Sequence, residues 1–260
     1  MVLGGPQGGK NAAIAALYVK YSRAHRKEDV NVPVRVNIAN SSLSTELVEA
    51  VRNVELPTIG HFLEVGFVDP GITRIVGTGR LVGRAVTVRL VAPDSALVHR
   101  ATEMLEPGDV LVVDTGGDTV HAPVGSVVGT AVAAAGATGI VIDGPCTDAE
   151  ALAGLGLAVY ARGRSALTTK IHALDAGGIN VPVVIGRVAV LPGYLVIGDG
   201  DGLLIADPAD VQQVLDRARR SDVAEPAKLE RIRAGEPLST VSVAGERLRA
   251  VLDAESGGTT

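Results

Sequence analysis

The residues with the greatest capacity for chemistry lie between Gly108 and Asp148, in the stretch GDVLVVDTGGDTVHAPVGSVVGTAVAAAGATGIVIDGPCTD. Asp118 follows the pair Gly116-Gly117, Ser126 follows Gly125, and Asp143-Gly144 opens the loop that ends in Thr147-Asp148. Carboxylates in such a setting hold hard divalent cations or move protons. Glycine-rich backbone that opens a helix presents N–H groups and partial positive charge to a carboxylate or phosphate. The spacing predicts a small anionic ligand held by the loop of Gly116, Gly117 and Asp118 and by the helix start at Gly125, Val127 and Val128, with Asp148 facing it. A plain βαβ unit whose glycines only make tight turns fits the same spacing equally well.

The elements that must position these groups follow from hydrophobic patterning. Val110 to Val113 is a short apolar run suited to a buried strand. Asp114 to Asp118 breaks it with turn residues. Gly125-Ser126 opens an alanine- and valine-rich helix closed by Gly136 or Gly139. Ile140 to Ile142 is a second buried strand, with Asp143 to Asp148 as the loop at its carboxyl end. In open α/β sheets ligands bind at the carboxyl ends of strands, and both loops fall there.

Taken in order, GDVLVVDTGGD, the A-x-x-G of Ala122 to Gly125, the helix and IDGPCTD resemble the family of the regulator of ribonuclease activity A and 4-hydroxy-4-methyl-2-oxoglutarate aldolase. Flanking matches are Gly83-Arg-Ala-Val-Thr-Val88, Tyr160-Ala-Arg-Gly163, Leu191-Pro-Gly193 and Gly198-Asp-Gly-Asp-Gly202. The resemblance runs from about residue 45 to about residue 240. It implies a swivelling β/β/α domain, a layered α/β sandwich, assembled as a homo-oligomer, a ring-like trimer or hexamer with sites at subunit interfaces. It also implies a magnesium or manganese ion held by Asp148, and cleavage of a 4-hydroxy-2-oxo acid to pyruvate or decarboxylation of oxaloacetate.

Three positions depart from the family pattern. Its signature loop is D-G-x-x-R-D, in which the arginine binds substrate and stabilises the developing enolate. Asp143, Gly144 and Asp148 match, but Thr147 stands in the arginine's place. Ser126 occupies a helix-start position where the aldolases carry an acidic residue, and Tyr194 one where aspartate usually follows Pro-Gly. The resemblance therefore implies a retuned lyase for a small oxo acid, with Asp148, Thr147, Ser126 and Arg162 as catalytic candidates and Gly144 among the substrate-binding residues. Arg162 or Arg164 can replace the missing guanidinium, which suits bidentate carboxylate recognition; a surface salt bridge fits either one equally. His61 and Glu64, one helical turn apart, are weaker substitutes. Two other readings stay open: an enzyme of another class that uses the pocket on a modified small molecule, and a non-catalytic member that acts through protein contacts.

Composition narrows the classes. The chain has 260 residues, is 47% hydrophobic with 32 glycines, and only 2% aromatic, so Val, Ala, Leu and Ile must fill the core. A net charge of −5 argues against a nucleic-acid interface. No apolar run reaches the roughly 18 residues of a membrane span, and no signal-peptide pattern opens the chain, so a cytoplasmic protein is expected. The single cysteine, Cys146, excludes an intramolecular disulfide and reads as an inert small residue.

The flanks complete the layout. Gly4 to Lys10 has the spacing of a phosphate-binding loop but lacks a preceding strand and a Ser or Thr after the lysine. Asn11 to Arg26 carries Ile14, Leu17, Tyr18 and Tyr21 at helical spacing and is expected to pack on a neighbouring subunit or cap the domain. Further helices are expected at Ser41 to Val51, from Asp94, at Pro208 to Arg219 and at Glu225 to Ala234, with short strands between Val181 and Ala206. Glu225 or Glu230 is the counterpart of a family glutamate that completes a neighbouring subunit's site. The predicted division is an arm at 1–40, an α/β domain at 41–240 and a tail at 241–260.

Overall fold

A computed structural model describes residues 33–38 and 42–256. The phosphate-loop-like stretch and the Asn11 to Arg26 helix lie outside these residues. The first half of the chain runs β1 (Arg35–Val36), α1 (Thr45–Arg52), α2 (Leu56–Gly60), β2 (Thr73–Val76), β3 (Leu81–Arg89), α3 (Ala96–Thr102), β4 (Asp109–Asp114) and α4 (Ser126–Ala134). There follow β5 (Gly139–Asp143), β6 (Pro145–Cys146), α5 (Ala149–Ala153), β7 (Ala158–Ala161), β8 (Gly163–Arg164) and β9 (Gly178–Ile179). The last part is β10 (Val183–Ile185), β11 (Val188–Val190), β12 (Leu195–Gly198), β13 (Leu203–Ala206), α6 (Pro208–Arg233), α7 (Leu238–Val241) and α8 (Ala244–Ser256).

The main sheet has the order β1-β9-β3-β4-β5-β7-β2, with β3, β4, β5 and β7 parallel. One edge of the long strand β3 is shared: β12 pairs antiparallel with Leu81 to Arg84, and β9 with Val88 and Arg89. At the far side β2 pairs antiparallel with β7 and is interrupted by a bulge between Arg74 and Val76. Every residue of β4 is buried, as its unbroken apolar run requires of a strand covered on both faces.

The two faces have different cover. Val86, Val88, Leu111, Val113, Ile140 and Ile142 pack against α3 and α4 through Val98, Ala101, Val128 and Val132. The alternate residues Ala85, Val110, Val112, Val141 and Tyr160 face Val183, Ile185, Val190, Val196 and Ile205 of the later strands. A third cluster joins α1, α2 and α6 to β12 and β13. The result is the layered α/β sandwich expected from the sequence, helices on one face and a small β layer on the other.

Local signals explain most boundaries. Ser44 caps α1 by accepting the Leu47 N–H at 3.1 Å, and Asp207 caps α6 through the Ala209 N–H at 2.9 Å. The C-terminal region differs from expectation. The two helices predicted at 208–219 and 225–234 form one helix of 26 residues that runs through Pro226. Proline removes one N–H, but this half of α6 is exposed, so the freed carbonyl need not be met within the protein. Within 241–260 the chain forms α8. Close packing in an aromatic-poor sheet depends on small residues: a Cβ at Gly83 would lie 2.3 Å from the Gly108 carbonyl oxygen and 2.8 Å from Val110. Gly83→Ala is expected to cost about 1–3 kcal/mol of stability by overpacking, read as a lowered urea midpoint; an unchanged midpoint would show that β3 and β4 can part without penalty.

Candidate functional site

The parallel register sets Asp114 of β4 opposite Asp143 of β5 at the carboxyl end of the sheet. Both side chains follow the parity that faces the β layer. Asp114 accepts the N–H groups of Gly116 at 2.8 Å and Val184 at 3.2 Å. Asp143 accepts the Gly186 N–H at 2.7 Å and binds the Arg162 guanidinium. Asp69 lies on the other side of Arg162 at 3.8 Å and holds Arg187 at 3.1 Å. These two carboxylates and Arg162 tie the β10–β11 hairpin to the sheet. The polar contacts of Arg162 are with Asp143 and Asp69, the salt-bridge reading left open above. Arg164 sits opposite Cys146 in the β6–β8 pair. It is exposed and makes no ion pair among the described residues.

Asp148 belongs to a different corner. Its backbone is left-handed, with φ 53°, and its carboxylate reaches back to the start of α4. Oδ2 accepts the Ser126 N–H at 3.0 Å and the Ser126 hydroxyl at 2.9 Å, while the Thr147 hydroxyl donates to Oδ1 at 3.3 Å. The Ser126 N–H and hydroxyl, aided by Thr147, hold this carboxyl below the usual carboxylate range. Gly125 makes the approach possible: a Cβ there would lie 2.6 Å from Asp148 Oδ2 and 2.6 Å from Thr147 Cγ2. The next N–H groups of the helix, those of Val127 and Val128, have no acceptor among the described residues. Val128 is buried, whereas Val127 is 75% exposed, so this helix start opens to solvent.

The glycine loop connects the two corners. Gly116 and Gly117 both take positive φ, 67° and 89°, a conformation that glycine adopts freely. The Thr115 hydroxyl lies 2.9 Å from the Asp118 carbonyl and 2.7 Å from that of Asp143. A Cβ on Gly144 would meet Thr115 Cγ2 at 2.6 Å, so the two strand-end loops touch there. Asp118 turns into its own loop, accepting the N–H groups of Val120 at 2.8 Å and His121 at 2.9 Å, with Oδ2 2.7 Å from His121 Nδ1. Burial pushes this carboxyl up, but the two N–H groups and His121 outweigh it and keep it low. His121 escaped the sequence reading; the D-x-x-H spacing within a glycine-rich loop was its signal.

Other candidates fall elsewhere. Cys146 is fully buried and burial pushes its thiol up, which keeps it inert. His61 and Glu64 are exposed beyond α2, an element that packs on α6. Glu225 and Glu230 are exposed on α6, and Glu230 pairs with Arg233 at 2.6 Å. Among the described residues no group of three or more His, Cys, Asp or Glu side chains converges as a cation site. Asp148 is the carboxylate at the helix start, and its Oδ1 has only the hydroxyl of Thr147 as a donor. That fits a magnesium-type ion, which is commonly held by one or two carboxylates with water and substrate as the remaining ligands.

Residues 45–205 match the model of the RraA-like family, described as Aldolase/RraA. The chain belongs to this family. A Halalkalibacterium halodurans protein, provisionally named a 4-hydroxy-4-methyl-2-oxoglutarate aldolase, is 31% identical over 165 residues, covering 61% of this chain and 78% of the relative. A similarly named Shewanella oneidensis protein is 36% identical over 135 residues, 52% of this chain and 80% of the relative. Among solved structures, Streptomyces coelicolor RraAS2, described as an unusual member of the RNase ES inhibitor RraA protein family, superposes with a TM-score of 0.62 at 27% identity. It covers 74% of this chain and 98% of its own. A Pseudomonas syringae protein at 23% identity, TM-score 0.65, covering 77% of this chain and 98% of its own, shares the fold.

The Asp148 clasp gives this RraA-like chain a pH signature. A carboxyl depressed on folding contributes stability above its unfolded value of about 3.9 and loses it as pH falls through the folded value. Asp148→Asn is expected to be less stable than the native chain near pH 7, with the gap closing as pH falls below the unfolded value of about 3.9 and the native carboxyl protonates. Denaturant titrations of both proteins across that window check it; a gap that stays constant down to the lowest pH would mean the charge has no part in the clasp.

Proposed function

We propose that this RraA-like protein is a divalent-metal-dependent carbon–carbon lyase that cleaves or decarboxylates a small oxo acid. One observation carries the reading: the unaccepted N–H groups of Val127 and Val128 lie at a helix start beside the exposed, ionised carboxylate of Asp148. An anionic substrate beside the ionised Asp148 carboxylate is repelled unless a cation offsets the charge, even though Ser126 and Thr147 already donate to that carboxylate. The aldolase names of the H. halodurans and S. oneidensis relatives support a lyase of this kind.

Each residue then has a task. The N–H groups of Val127 and Val128 receive the substrate carboxylate. Asp148 would hold Mg2+ or Mn2+, aimed by the Ser126 N–H and hydroxyl. When bound, such an ion polarises the keto oxygen as a Lewis acid. Gly116, Gly117 and Gly144 let the two loops meet, and Gly125 leaves room for Asp148. Asp118 fixes His121 through Nδ1, leaving Nε2 as the ring nitrogen outside that contact. Thr147 offers a neutral hydroxyl where a guanidinium would meet developing charge; loss of one such donor costs about a hundred- to a thousandfold in rate. Arg164, exposed and without an ion pair among the described residues, is a better replacement than Arg162, whose charge is met by Asp143 and Asp69.

The open helix start also supports a homo-oligomer, a trimer or hexamer, in which a second copy covers Val127 and closes the site. The division into an arm at 1–40, a domain at 41–240 and a tail at 241–260 belongs to the same proposal, as does a cytoplasmic location. Among the described residues no helix is long and apolar enough to cross a membrane. One observation favours a second reading, a non-catalytic protein-binding member: both Asp148 oxygens already have donors within the chain.

Pyruvate release from oxaloacetate and from a 4-hydroxy-2-oxo acid, with and without Mg2+ or Mn2+, separates the two. Slow metal-dependent release is expected from the native chain, faster release from Thr147→Arg, and none from a folded Asp148→Ala. Silence from the native and Thr147→Arg proteins alike would sink the lyase reading and leave the binding protein.

A further inference from the structure

A second place in the molecule is built for an anion, on the opposite side of β4 from β5. Arg35 of β1 and Arg89 of β3 are register partners of the same residue, Gly178 of β9. Registered partners present their side chains on one face of a sheet, so two guanidinium arms rise on either side of a residue that has no side chain. Two strand spacings, about 9.5 Å, separate their α-carbons. The glycine is required: a Cβ at Gly178 would lie 2.7 Å from Val181 Cγ1. Val181 therefore covers the gap and gives it an apolar floor.

The walls are fixed. Asn37 and Val91 stand two residues beyond the arginines, on the same face by strand parity. The Asn37 and Asn180 side-chain amides each donate to the other's backbone carbonyl at 2.9 Å, which latches β1 to the turn after β9. Arg35, Asn37, Arg89, Val91, Val181 and Pro182 line a cavity of about 590 Å³, within the roughly 300–1,000 Å³ of small-molecule sites. Neither arginine has an acidic partner among the described residues. Asp175 also lines the cavity, and its carboxylate is engaged by the Val34 N–H at 3.1 Å rather than by either arginine. In a chain with a net charge of −5, two guanidinium groups without an acidic partner among the described residues, set over an apolar floor, suit an oxyanion.

We propose that this cavity binds a small organic anion, a single carboxylate or phosphate group attached to a compact apolar body. The oxyanion sits between Arg35 and Arg89, and the body rests on Val181, Pro182 and Val91. The site does not involve Asp148 or the start of α4, and it stands whether or not the chain is a lyase.

The test is calorimetric titration of the full-length, metal-free protein at low ionic strength with phenyl phosphate, benzoate and the uncharged benzyl alcohol. One or both anions are expected to bind, with their relative affinity separating a phosphate site from a carboxylate site, and benzyl alcohol is expected not to. Added salt should weaken binding. Arg35→Met and Arg89→Met should each weaken it about tenfold or more, the loss of one charge-assisted bond. Arg187→Met and Asp148→Ala should retain it, and unchanged melting temperatures of the two arginine variants would confirm their folds. Absence of binding by either anion at millimolar concentration overturns the proposal. So does binding that survives both arginine substitutions, or that is lost with Asp148→Ala.

Discussion

Two carboxylates side by side at the end of a parallel sheet constrain everything built above it. The register that makes β4 and β5 neighbours puts Asp114 and Asp143 one strand spacing apart on the face covered by the β layer. Buried or half-buried carboxylates must be met by donors. Here the donors are the N–H groups of Val184 and Gly186, from the β10–β11 hairpin, and the Arg162 guanidinium. The hairpin is thereby held at a fixed height over the sheet. The opposite corner, where α4 starts, is left with Asp148 as its acid. Asp143 and Asp148 share the signature loop, but Asp143 ends β5 and faces the β layer, whereas Asp148, left-handed at the start of α5, turns to Ser126.

Local pattern explains what could be read before the structure. The apolar runs of β4 and β5, the glycines of the 116–117 turn and the helix opening at Ser126 are determined by neighbours in sequence, and each stands where the pattern put it. The partners of Arg162 could not be read, because Asp69 and Asp143 reach it from segments far apart in the chain. Asp118 and His121 show a different limit. Their pairing is local, at three residues, but in a loop no periodicity announces which side chains turn inward. The C-terminal helix differs for a third reason: Pro226 suits the first turn of the second expected helix, while an exposed helix also tolerates it in the interior.

The departures from the family pattern are physically consistent with one another. An acid at the helix start and an arginine in the signature loop would both carry charge to within reach of Asp148. In this chain Ser126 and Thr147 bring neutral hydroxyls instead, and both hydroxyls point to that carboxylate. The contact of Gly125 with both Thr147 and Asp148 makes the three positions a single unit. Substitutions among them should be non-additive, since each alters the room available to the others.

The ends of the main sheet bear on how copies of this chain can meet. A sheet with open edges grows by strand addition, and the extended backbone of one molecule becomes a template for the next. β13, the outer strand of the β12 branch, is covered by residues 66–68; among the described residues the two remaining outer strands are β1, only two residues long, and β2, broken by its bulge at Arg74 and Val76. Neither offers the long, flat run of free N–H and C=O groups that fibrous stacking needs. Strand length and one bulge thus leave these two edges poor templates for a strand from another copy.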